Sequence, residues 1–245
     1  MRVPPALFFG KRGGHIRVGA LVLAIALVAG NGFGQDELRV VTTSADLESL
    51  VKAVGGERVE VESLTEPDQD PHTFEAKPAQ LARVRAAGLV VRIGLDHEPW
   101  FARLKLAREA AVLDASKNVR LIQTQTPRLR AERHAHVHAY GNTHYWLDPE
   151  NVRAITADIR DALAKLSPQD ATTFEANRTA FLAQLERRFR EWQAALAPYR
   201  EARLIVVHDS WAYFAHAFDL KIVAAAEPHP GVPPSPAELA ALIAR

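Results

Sequence analysis

Nine histidines follow residue 34, and the chain contains no cysteine. Near neutral pH an imidazole offers one nitrogen lone pair to a metal, and it suits Zn²⁺ and other divalent transition ions. Three of the nine are placed where they could act together. His72 lies in the loop after an alternating segment at 58–63. His144 stands beyond the long loop 123–144, and His208 directly follows the apolar run 203–207. If these runs are strands of α/β sheets, their carboxyl ends are where ligands collect, so three such loops can aim their side chains at one point. Each ring could equally cap or hydrogen-bond its own loop. The lack of cysteine excludes thiolate zinc sites and disulfide scaffolds.

The other histidines divide by context. His134, His136 and His138 alternate within HAHVHA, a pattern that either captures metal transiently or is simply a solvated loop. His97, in DHEPW, and His216 read as packing or surface residues, and His229 falls in a proline-rich turn beside the expected cleft. Asp148 and Asp209 adjoin two of the candidate ligands and could orient them. Both also stand at expected helix starts, where Asp is favoured as a cap. Trp146 and Trp211 read as core or cleft wall.

The elements that must position these residues follow from periodicity. Strands are expected at 39–42, 58–63, 88–93 and 119–122, and helices at 44–54, 78–87 and 100–111. Such alternation predicts an α/β lobe with a mostly parallel sheet. A helix over 149–166 starts with Asp148 as cap and Pro149 in the first turn. The next helix, 168–197, carries Phe174, Phe181, Leu185, Phe189, Trp192 and Leu196 on one face. At 1.5 Å per residue it is ~45 Å long, whereas a lobe of ~100 residues has a radius of gyration of only ~13 Å. It therefore runs past one lobe and along a second. That second lobe reads as strand 203–207, helix 210–218, strand 221–225 and helix 236–245, the last opened by the capping box Ser235-Pro236-Ala237-Glu238. About 45 residues make a poor independent core, so the second lobe is expected to be truncated.

The 245 residues carry 30 Lys+Arg against 29 Asp+Glu and are 48% hydrophobic, which excludes a disordered chain and leaves no global charge to attract nucleic acid. Residues 1–34 hold Arg2, Lys11, Arg12 and Arg17 and no acid, followed by a 13-residue uncharged stretch from Val18 to Gly30. A basic start, a short apolar stretch and small residues Gly32 and Gly34 describe a secretory signal. A spanning helix needs about 20 apolar residues. Removal of residues 1–34 leaves 211 residues with 26 basic and 29 acidic side chains. The expected product is a slightly acidic, exported, soluble protein of the periplasm.

The segments QDPHTFEAKP (69–78), GNTHYWLDPEN (141–151), VVHDSWAYFAHAFDLKI (206–222) and EPHPGVPPSPAEL (227–239) occur in an order and spacing that resembles the zinc/manganese-specific substrate-binding proteins of metal ABC transporters. The resemblance covers about residues 38–245. It implies two α/β lobes with mostly parallel sheets joined by one long rigid helix, with metal in the interlobe cleft. The lobes would be 35–166 and 199–245, with 167–198 as the helix. His72, His144 and His208 match three of the family's ligands. The fourth, a carboxylate late in the second lobe, would lie beyond Arg245. Three imidazoles lean towards Zn²⁺, with Mn²⁺ the alternative. The implied role is capture of the ion by a monomer and delivery to an inner-membrane ABC permease, with no chemical step. Loading needs neutral imidazoles, so binding should weaken below about pH 6.5. Two alternatives remain open at this point. One is a zinc hydrolase with three histidines and a bound water, although no HExxH or nucleophile elbow occurs. The other is a truncated product that binds poorly.

Overall fold

The computed structural model describes residues 37–69, 72, 74–104, 106, 111–122, 141–227 and 233–244. Within this part, β1 (Leu38–Thr42), α1 (Ala45–Gly55), β2 (Val59–Ser63), α2 (Pro78–Ala86), β3 (Leu89–Arg92) and β4 (Ala111–Asp114) form the first α/β half. Its sheet has the order β2-β1-β3-β4, and every pair is parallel. Period-2 alternation sends Val40, Leu89 and Val91 to one face and Val41 and Val90 to the other. The first set packs with Leu47, Val51 and Val54 of α1. The second packs with Val84 of α2 and with Trp100 and Phe101. Apolar residues on both faces are what a parallel sheet covered by helices requires.

Two expected elements fall elsewhere. Of the helix expected at 100–111, the described residues show a 3₁₀ turn, Phe101–Arg103, and Ala111 already in a strand; the fourth strand is Ala111–Asp114, not 119–122. Residues 119–122 form no strand: side chains pair several of their backbone groups, and Asn142 N donates to Ile122 O at 3.1 Å. The Asn151 amide accepts from Arg120 N (2.7 Å) and donates to Arg120 O (3.0 Å). The Tyr213 hydroxyl accepts from Ile122 N at 3.2 Å. A side-chain amide thus stands in for a neighbouring strand, which no local pattern reveals.

Helix α3 (Pro149–Leu166) opens as expected, with Asp148 accepting from Glu150 N and Pro149 in the first turn. Its Ile155, Ile159 and Leu163 join the core of the first half. After a 3₁₀ turn at Pro168–Asp170, α4 runs 26 residues, Ala171–Leu196, or ~39 Å. Its first turns are tied to the first half through Phe174, buried in that core, and through Asn177, whose amide donates to Val54 O at 3.0 Å. Further along, Phe189 meets Phe218 with ring centres 5.3 Å apart. The helix therefore spans both halves, as its length predicts. The second half comprises β5 (Arg203–Val206), α5 (Ala212–Ala217), β6 (Lys221–Ala225) and α6 (Pro236–Ile243), with β5 and β6 parallel. Its buried side chains, Ala212, Tyr213, Ala215 and Phe218, gather around α5, while Ile205, Val207 and Ile243 are exposed. None of the helices among the described residues is long and apolar enough to cross a membrane. The expected export signal, the HAHVHA cluster and His229 lie outside the described residues.

Candidate metal site

The candidate residues arrive from three separate loops. Chain order runs from β1 to β2 on one side and then to β3 on the other. The crevice beside β1 is therefore a switch point, the usual ligand position in an open parallel sheet. His72 comes from the loop after β2, His144 from the residue preceding the 3₁₀ turn Tyr145–Leu147 that leads to α3, and His208 from the loop after β5. Their ring centres lie 5.5 Å (His72–His144), 5.8 Å (His72–His208) and 5.2 Å (His144–His208) apart. All three line one cavity of about 190 Å³, together with Ser44, Asp46, Thr65, Glu66 and Trp146. Trp146 forms cleft wall, as expected.

His97 belongs to the same cluster, contrary to its reading as a mere packing or surface residue. It is 1% exposed, its ring centre is 3.9 Å from that of His72 and 5.2 Å from that of His144. One ligand atom from each of His72, His97 and His144 lies within 4.8 Å of the others. The only sequence signal was its place just after an apolar strand. Its significance needed the strand order, which sets the loop of β3 across the crevice from the loop of β2. His216, by contrast, is on the exposed side of α5.

Two anchors at one strand end position the loops of His97 and His144. Glu98, buried next to His97, accepts from Ile93 N (2.6 Å), Gly94 N (2.9 Å) and the Thr43 hydroxyl (2.5 Å). Burial pushes its carboxyl above the usual value, while the Thr43, Ile93 and Gly94 donors and the charge of Arg92 pull the other way. The Tyr145 hydroxyl donates to Ile93 O at 2.6 Å. Burial, reinforced by the charges of Glu98 and Asp114, raises the tyrosine well above its ordinary range, so it stays a donor. Burial likewise raises Asp46 at the cavity wall.

The tautomer of His144 is settled by Asn142. That amide is oriented twice by backbone groups that cannot change role: Nδ2 donates to Asp209 O (2.7 Å) and Oδ1 accepts from His144 N (3.0 Å). Oδ1 therefore also accepts from His144 Nδ1–H, 3.1 Å away. This leaves the lone pair on Nε2, the arrangement in which a neighbouring acceptor orients a metal-binding imidazole. The same amide links the first half to the second at the residue after His208. Tyr213, raised by burial, adds a bond from its hydroxyl to Asn142 O at 2.7 Å. Asp209 thus contributes its carbonyl, and it precedes α5 by more than a cap position, since Trp211 occupies the cap. The Nε2 of His208 is buried and takes no hydrogen bond among the described residues. Buried polar atoms normally have a partner, and an ion in the cavity would supply one.

Two α/β halves with parallel sheets, one long helix and imidazoles from separate loops lining a shared cavity describe a fold of the bilobed substrate-binding class. The family model for the zinc-uptake complex component A, periplasmic, matches residues 40–245, and the chain belongs to this family. It is 27% identical over 260 residues to the high-affinity zinc uptake system protein ZnuA of Paracoccus denitrificans (strain Pd 1222), covering 93% of this chain and 78% of that protein. A relative in Treponema pallidum (strain Nichols) is 30% identical over 193 residues, covering 76% of this chain, and the chain spans only 61% of that relative's length. A crystal structure of ZnuA superposes with a TM-score of 0.74 at 33% identity, covering 85% of this chain and 77% of the other. The names of the zinc-uptake relatives describe zinc binding and uptake, not catalysis.

Proposed function

We propose that this protein is the periplasmic receptor of a metal ABC transporter, which captures Zn²⁺ through His72, His144 and His208 and releases it to an inner-membrane permease. In this reading residues 1–34 direct export and are removed, 35–166 and 199–245 are the two lobes, and 167–198 is the rigid helix between them. The receptor acts as a monomer, and Mn²⁺ is the weaker cargo because imidazole nitrogen suits zinc better than the oxygen-seeking ions. The observation that carries the proposal is the convergence of three histidines, from three separate loops, on one cavity. The names of the relative in P. denitrificans and of a zinc-bound ZnuA deletion-mutant structure support zinc as the cargo.

The test is a competition titration against a fluorescent zinc chelator with the parent and with His72→Ala, His144→Ala and His208→Ala. Each substitution should weaken Zn²⁺ binding by at least ~10-fold, because each removes a nitrogen donor from a site of few ligands. Equal affinity in all three variants and the parent would refute the assignment.

A further inference from the structure

His97 has no part in the ligand set implied by the family resemblance, yet its placement is costly. It follows Gly94, Leu95 and Asp96, whose φ angles are +81°, +56° and +57°. The turn closes with His97 N donating to Gly94 O at 3.0 Å. Left-handed backbone costs a non-glycine residue on the order of 1 kcal/mol or more, and here Leu95 and Asp96 both adopt it. Glu98 holds the turn in place through the two backbone N–H groups of Ile93 and Gly94. The result is an imidazole 1% exposed and directed between His72 and His144. An apolar side chain would fill that volume without burying two ring nitrogens. His97 Nδ1 lies 2.7 Å from the hydroxyl of Thr143, the residue before His144. If Nδ1 donates to that oxygen, Nε2 keeps its lone pair, the same logic by which Asn142 prepares His144.

We propose that His97 is a metal ligand, so that the ion is held by four imidazoles from His72, His97, His144 and His208. This rests on the reading of the cavity as a zinc site and adds to it a fourth donor, from the first half, where the resemblance implies a carboxylate from the second. Four of the six ring separations agree with the geometry of such a site. With a Zn–N bond of about 2.0–2.1 Å, an imidazole centre sits about 3.2 Å from the ion, and two rings at the tetrahedral angle have centres about 5.2 Å apart. Four of the ring separations are 5.2, 5.2, 5.5 and 5.8 Å. A fifth, His72–His97, is 3.9 Å, so loading must open that pair by about an ångström, and His208, which lies outside the tight donor cluster of His72, His97 and His144, must close onto the ion. Four neutral nitrogen donors bring no negative charge or oxygen to the ion. The site therefore discriminates against Mn²⁺, which prefers carboxylate and water, more strongly than a mixed site would.

X-ray absorption of the zinc-loaded full chain counts imidazoles directly and requires no mutation. Four histidine scatterers are expected, and a fit that requires three overturns the proposal. In chelator competition, His97→Leu should weaken Zn²⁺ binding by ~10–100-fold and His97→Gln by a similar factor, with circular dichroism confirming the fold. If either folded His97 variant binds within twofold of the parent while His72→Ala, His144→Ala and His208→Ala lose binding, His97 is not a ligand and the zinc-receptor reading stands. If all of these variants bind as the parent does, both ideas fail. Should the His97 variants not fold, the absorption count on the parent decides.

Discussion

Replacing Asn142 with Ala tests whether zinc affinity depends on a residue that does not itself bind the ion. Asn142 is 7% exposed; its Oδ1 accepts from His144 N and Nδ1, and its Nδ2 donates to Asp209 O. Alanine removes all three. His144 then can carry its proton on Nε2, the atom needed by the metal, and its ring loses the acceptor that orients it. Loss of such an orienting partner lowers metal affinity by 10–100-fold, or about 1.4–2.7 kcal/mol. Asn142→Asp separates the two roles: its carboxylate still accepts from His144 but cannot donate to the Asp209 carbonyl. Zinc competition titrations at neutral pH should therefore rank parent, Asp and Ala in falling affinity. An Ala variant that stays folded and binds within threefold of the parent would refute the reasoning. Equal damage from Asp and Ala would shift the role from the imidazole to the carbonyl beside His208.

Three further outcomes follow from the positioning contacts. Gly94→Ala should lower thermal stability by about 2 kcal/mol or more, because a Cβ would overlap the Asp114 carboxylate and φ is +81°; a melt shifted by less than a degree would contradict this. Tyr145→Phe leaves the buried Ile93 carbonyl without its 2.6 Å donor, so chemical denaturation should show a loss of about 1–3 kcal/mol, and an unchanged midpoint would count against the anchor. Burial pushes Asp114 up, but the Ser116 hydroxyl and amide and the Arg92 guanidinium together hold it below the usual carboxylate value. Its ionised form thus stabilises the fold above the ordinary carboxylate range, and this stability disappears as pH falls through the lowered value. Melting temperatures measured down the acid limb should therefore drop less steeply in Asp114→Asn than in the parent; parallel profiles would argue against it.

Much of the fold was legible because its elements obey local rules. The alternation at 38–42 and 59–63, the Asp148-Pro149 helix start and the long one-sided pattern from Phe174 to Leu196 each appear in the structure close to their expected bounds. The misplaced fourth strand shows the limit. Residues 119–122 have a strand-like sequence, yet their partner is the Asn151 side chain from α3, a contact between residues 31 apart that leaves no periodic signature.

By itself the sequence determined which side chains were available for metal and which loops carried them. Histidine type, spacing and neighbouring motifs suffice to nominate His72, His144 and His208, since strand ends can be read from apolar runs. Only the tertiary structure decided that His97 joins them. Its neighbours in sequence form an ordinary turn motif, whereas its neighbours in space are set by strand order, by three left-handed residues and by the buried Glu98 that holds them. Likewise, the lone pair of His144 is directed by an amide whose own orientation depends on a carbonyl 67 residues away. Lone-pair direction and ring separation are properties of packing, and packing is assembled from contacts distant in the chain.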